Sequence, residues 1–216
     1  MRYLRFSLLA AMTLLWATLL PAQTNVLSID TVFTPSGKTA ILPIMLQNTS
    51  AVTGVQFDIS VPYELDVDDQ GRVVAELSHT RLAGYTIESK KIGTENKRYY
   101  PNGLDAGTEN LKYQKYRIIL YSASNELVAN NRGTLVNLQI TMPVDLNNGA
   151  VLPVFLSNVV LSDSRHDGVE VNPKDGAIVI GEIPRPDLMP VDVSFTPNTA
   201  TPGEKFTVRW KVKNIG

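Results

Sequence analysis

The stretch Thr53-Gly54-Val55-Gln56-Phe57-Asp58-Ile59-Ser60-Val61-Pro62 constrains the fold more than any other part of the chain. Val55, Phe57, Ile59 and Val61 alternate with Gln56, Asp58 and Ser60, the period of a strand with one dry and one wet face. Gly54 and Pro62 interrupt a ladder at either end, so the run is bounded. The expectation is a central strand of an antiparallel sandwich, with Phe57 in the core and Gln56 and Asp58 facing out.

The rest of the chain supplies further short strands. Val26 to Phe33 reads as a first strand, ended by the turn Thr34-Pro35-Ser36-Gly37-Lys38, where Pro presets one φ and Gly permits a positive one. Lys38 to Leu46 reads as a second, apolar on both parities and so expected to be covered on both faces. Arg72 to Leu77 and Ala83 to Glu88 read as short strands. Lys90 to Tyr113, dense in Lys, Glu, Asn, Gly and Tyr, has no sustained period and reads as a long hairpin loop or insertion. Tyr116 to Ser122 is strongly β-prone, and Thr134 to Met142, Val151 to Leu161 and Gly176 to Ile180 complete about nine strands, with no helical period anywhere.

At its start the chain has Arg2 and Arg5, then an apolar run from Phe6 to Leu20 and the exit Pro21-Ala22-Gln23, the pattern of a secretory signal peptide over residues 1–22. A run of about 15 apolar residues is short of the roughly 20 that span a bilayer, so no stable membrane insertion is expected after cleavage. Removing that leader lowers Lys plus Arg from 20 to 18 against 21 Asp plus Glu. A mildly acidic, unpatterned surface gives no footprint for nucleic acid. Cysteine is absent, so an exported chain of this kind is held by its core alone.

The prolines of Gly181-Glu182-Ile183-Pro184-Arg185-Pro186-Asp187 forbid a ladder and favour an extended linker over residues 182–187. Beyond it Val191, Val193 and Phe195 alternate, as do Phe206, Val208, Trp210 and Val212. These read as the first two strands of a second unit, too short to bury a core alone, so the chain is expected to continue past Gly216.

The segments "LPIMLQN", "TGVQFDISVP", "YRIILYSASN" and "GTLVNLQI", with Asn158 to Asp163, resemble a cohesin-like module of the divergent kind found in secreted Bacteroidetes proteins. The resemblance covers most of residues 26–181. It implies a nine-stranded jelly-roll sandwich, a fold shared with a group of cellulose-binding modules, and a dockerin as the family's usual partner. No recognition residue carries over by motif. The segment "PDLMPVDVSFTPNTATPGEKFTVRWKVKNIG" looks like the opening of a CARDB module, an adhesion-related immunoglobulin-like domain of bacterial surface proteins.

Two clusters invite a metal. Asp66, Asp68 and Gln70 occupy the first, third and fifth places of an EF-type loop with Gly71 sixth, but Leu77 stands twelfth where a bidentate Glu is needed; the cluster reads as a structural Ca²⁺ site or as a solvated turn. Asp163, Arg165, His166 and Asp167 read as a transition-metal site or as a turn capped by Asp. His79 and His166 are the only histidines, which excludes a multi-histidine centre. Nothing resembles a nucleophile motif or a phosphate loop.

For glycans, Tyr99, Tyr100 and Tyr113 in the tyrosine-rich insertion are the candidates, since sugar rings stack on aromatic faces. Tyr116 and Tyr121 read as packing residues. The expectation is therefore an exported, non-catalytic, all-β chain, a nine-stranded antiparallel jelly-roll β-sandwich over residues 24–181, followed by the first strands of an immunoglobulin-like sandwich over 188–216. Its expected role is recognition, adhesion or scaffolding within a larger secreted or cell-surface protein, with a protein or a glycan as partner and no cofactor beyond a possible structural calcium. The alternative is a carbohydrate-binding module attached to a polysaccharide-acting enzyme.

Overall fold

The computed structural model describes residues 25–129, 131–182, 188–197, 199 and 201–214. The expected signal peptide and most of the expected linker lie outside the described residues. In chain order the strands are β1 (Asn25–Ile29), β2 (Val32–Thr34), β3 (Thr39–Gln47), β4 (Gly54–Val61), β5 (Ala75–Leu77), β6 (Tyr85–Tyr99), β7 (Glu109–Ser122), β8 (Arg132–Thr141), β9 (Val151–Ser162), β10 (Gly168–Val169), β11 (Val171–Lys174), β12 (Gly176–Ile180), β13 (Leu188–Thr196) and β14 (Thr207–Asn214). The chain is all-β.

The first twelve strands form two sheets. One has the order β11-β1-β3-β8-β5, the other β2-β12-β9-β4-β7-β6 with β10 alongside β9. A single apolar cluster draws on both, including Leu27, Leu42, Ile44 and Leu138 from the first sheet and Phe57, Ile118, Leu152 and Ile178 from the second. This is the expected jelly-roll sandwich, with twelve strands where the sequence pattern suggested nine. The opening strand predicted over Val26 to Phe33 breaks at the exposed pair Asp30-Thr31 into β1 and β2, one for each sheet. Both then pair in parallel, β1 with β11 and β2 with β12, so the sandwich is antiparallel except where its first strands meet its last.

Two glycines are dictated by this closure. Gly37 has φ +71 in the turn leading into β3, as the Pro-x-Gly pattern required. Gly176 sits where a Cβ would lie 2.6 Å from the Ile29 carbonyl oxygen, so β12 can cross under the end of β1 only without a side chain.

Three local readings are corrected. β3 is covered on one face only: Ala40, Leu42, Ile44 and Leu46 are buried, while Ile41 is 46% exposed on the other parity. The segment read as a loop or insertion is instead the outer half of a long hairpin, β6 paired with β7 from Tyr85↔Ser122 to Tyr99↔Glu109. A register shift between Lys91 and Gly93 exchanges the two faces midway, which hides the period of two from a reading along the chain. Asp58, expected to face out from β4, is buried.

β13 and β14 form a separate two-stranded antiparallel sheet. Phe195 and Trp210 remain 52% and 59% exposed, so the apolar alternation marks a hairpin whose side chains find no core among the described residues.

Candidate functional site

Strand β4 lies between β9 and β7 in the middle of the second sheet. Its odd-numbered residues behave as expected: Val55, Phe57, Ile59 and Val61 are at most 2% exposed. The even-numbered ones point to the outer face, yet Asp58 and Ser60 are also buried there. Alternation gave the direction of Asp58 and missed its cover.

That cover comes from the neighbouring strands. Arg117, directly opposite Asp58 on β7, donates from Nε and Nη2 to the two carboxylate oxygens at 2.7 and 3.0 Å. Asn158 on β9 donates its side-chain amide to Asp58 Oδ2 at 2.6 Å. Asn158 has φ +48 at the point where the β4–β9 register shifts, so a bulge turns this residue toward Asp58, and Asn is among the few residues that tolerate such a φ. Burial pushes the Asp58 carboxyl upward, but the hydrogen bonds from Arg117 and Asn158 and the charges of Arg117 and Lys115 outweigh it and hold the group below the ordinary carboxylate range. The Arg117 side chain is 40% exposed, against 1% for that of Asp58. The cluster is therefore a fixed polar centre with a cationic rim.

Around it the outer face is chemically mixed. Gln56 lies between Ile119 and Val160 in the next row of cross-strand pairs, and Tyr121 faces Gly54 in the row after that. Val160 and Tyr121 are 48% and 37% exposed, so Tyr121, on the odd parity of β7, is not the packing residue expected of it, and its hydroxyl donates to Glu88 Oε1 at 2.9 Å. Along the β6 side the surface dips into a groove of about 960 Å³, lined by Arg72, Val73, Ile87, Lys90, Arg117 and Ile119 among others. The face therefore combines exposed apolar groups with a hydrogen-bonded ion pair, the mixture found at protein–protein contacts.

The tyrosines singled out for glycans occupy different ground. Tyr113 is fully buried, its ring 5.8 Å from that of Phe155, and cannot present a face to a sugar. Burial pushes its phenol far upward, and its hydroxyl has no hydrogen-bond partner among the described residues. Tyr99 is half-buried against the core and its hydroxyl donates to Glu109 at 3.0 Å. Tyr100 is half-buried and bridges its backbone to Val151. Tyr116 is buried, donating to Glu64 and accepting from the Leu65 amide, a packing role as expected.

The acidic clusters are engaged by the chain's own donors. Asp66 accepts from the backbone amide and the hydroxyl of Thr141, and Asp68 accepts from the amides of Gln70 and Arg72 and from the Arg72 guanidinium. Gly71 takes φ +75, which completes a turn around Asp68. Asp163 caps the amides of Arg165 and Asp167 at 2.8 and 3.0 Å, with His166 at φ +66 inside the turn. Among the described residues no three His, Asp or Glu side chains converge as a metal site.

No family model matches the sequence, and no curated protein does either. Solved structures do match. The sixth cohesin of scaffoldin B from Acetivibrio cellulolyticus, solved with a dockerin, superposes with a TM-score of 0.53 at 16% identity over 74% of this chain and 100% of that one. The fold is cohesin-like. A non-cellulosomal cohesin from the archaeon Archaeoglobus fulgidus gives 0.50 at 15% identity, covering 74% of this chain and 92% of that one. The cohesin CaCohA2 from Clostridium acetobutylicum gives 0.51 at 15%, covering 73% and 90%. At such identities the likeness concerns the backbone.

Proposed function

We propose that this chain is a non-catalytic protein-recognition module that docks a folded partner on the outer face of its second sheet. The observation that carries the reading is the Asp58–Arg117–Asn158 cluster. Three strands contribute to it, it is fixed before any partner arrives, and exposed Tyr121 and Val160 with half-buried Ile119 surround its position. Preorganised polar groups inside an apolar surround lower the ordering cost of association and set its register. The cohesin-like fold supports the same reading, since one of the similar structures holds a dockerin.

The basic leader pattern and the proline-rich segment support export and display within a larger surface protein, with a CARDB-like unit beginning at β13. The test is a surface-plasmon-resonance screen of the purified protein against a panel of dockerin modules. A saturable signal that falls by about a hundredfold in affinity on Tyr121→Glu with Ile119→Arg supports the reading, because burying two unpaired charges costs several kcal/mol. Binding unchanged by that pair of substitutions, or none to any dockerin, overturns it.

A further inference from the structure

The β6–β7 hairpin differs electrically from the rest of the chain. Between residues 90 and 117 it carries Lys90, Lys91, Lys97, Arg98, Lys112, Lys115 and Arg117 against only Glu95, Asp105 and Glu109, whereas the whole chain has 20 cations and 21 anions. Beyond the register shift its two faces also differ from each other. Glu95, Lys97, Leu111 and Tyr113 lie on one parity, the more buried, with Lys97 Nζ 4.6 Å above the Phe155 ring and Glu95 bonded to Ser60. The opposite parity faces solvent and is built from three cross-strand pairs, Thr94↔Gln114, Asn96↔Lys112 and Arg98↔Asn110. That face carries no acid and no apolar side chain. All its residues are exposed except Gln114, which is intermediate.

Among the described residues Lys91, Lys97 and Arg117 are paired with Glu64, Glu95 and Asp58, while Arg98 and Lys112 form no ion pair. Arg98 and Lys112 sit on neighbouring pairs, diagonally across the ladder. Successive pairs on one face are about 7 Å apart along the strands, so the three make a straight strip. Carboxamides offer a donor and an acceptor each, as paired sugar hydroxyls require, and Arg and Lys match carboxylates. A protein partner would demand a desolvated apolar centre, and a single-stranded nucleic acid would demand aromatic stacking faces; this strip has neither.

We propose that this outer face of the hairpin, through Asn96, Arg98, Asn110, Lys112 and Gln114, binds an acidic polysaccharide of the polyuronate class. The site is separate from the partner-docking face around Asp58. It also moves sugar recognition from the tyrosines, which lie half-buried or buried, to amides and cations on the solvent side of the same hairpin.

Affinity electrophoresis of the full protein in gels containing polygalacturonate, dextran or poly-glutamate tests this. The expected result is retardation by polygalacturonate alone, weakened by raised salt. Arg98→Ala and Lys112→Ala should each weaken apparent affinity about tenfold, as for loss of a charge-assisted hydrogen bond, with unchanged Tm. Tyr121→Glu should leave retardation intact, which separates this site from the docking face. The proposal is overturned by equal mobility in polygalacturonate and dextran, by equal retardation in poly-glutamate, or by a doubly substituted protein retained like the wild type.

Discussion

Asp58 and Arg117 show how little a position's parity says about its environment. Asp58 is 59 residues from Arg117 and 100 from Asn158 in sequence, and no local pattern announces either contact. The two partners are unequal. Removing the Arg117 side chain leaves a carboxylate buried with only the Asn158 amide and the more distant Lys115, whereas removing the Asp58 charge leaves a guanidinium that reaches water. In the wild type the carboxyl is depressed, so its contribution to stability is present above the unfolded value of 3.8 and is lost as pH falls through the lower folded value. Arg117→Ala should lower the urea midpoint at pH 7, because it leaves the buried Asp58 carboxylate without its ion-pair partner. Without Arg117 the Asp58 carboxyl loses two of the influences that hold it down and moves upward, so the variant's acid-side loss of stability should be smaller than the wild type's and its Cm deficit should shrink as pH falls. Urea unfolding at several pH values checks this. A Cm difference that does not change with pH would contradict it.

At the scale of elements, much was legible. The alternating runs at β4, β7 and β8 are where the sequence places strands, because each keeps one face dry and packing follows that period. The long hairpin was not legible as strand, since it changes faces at the Lys91–Gly93 shift and its outer part is dense in charged and amide residues. What holds it is a tertiary contact: Tyr113 fully buried against Phe155, with Lys97 above the same ring. Tyr113 was the one candidate ligand residue that this contact removes from the surface. Phe155→Ala should therefore loosen the outer hairpin selectively. Hydrogen exchange should show about tenfold or greater loss of protection for amides between 94 and 114, with β3 and β8 unchanged. Uniform loss across both sheets would mean that the hairpin is not a separable unit.

For the molecule as a whole, two parallel closures and the split of the first strand between sheets lay beyond sequence reasoning, because they depend on which strands meet after the chain has wrapped. The class of fold did not. One apolar core between two sheets leaves the two outer sheet faces as the candidate surfaces for the proposed partner. The two outer faces compete for that role. One has Ile41 exposed on β3, and the other has Ile119, Tyr121 and Val160 around the Asp58 cluster.

An NMR titration of the isotopically labelled protein with a dockerin found in the panel distinguishes them most directly. Amide perturbations should centre on residues 54–60, 115–121 and 157–162. Perturbations centred on β3 and β8, with those three segments silent, would contradict it.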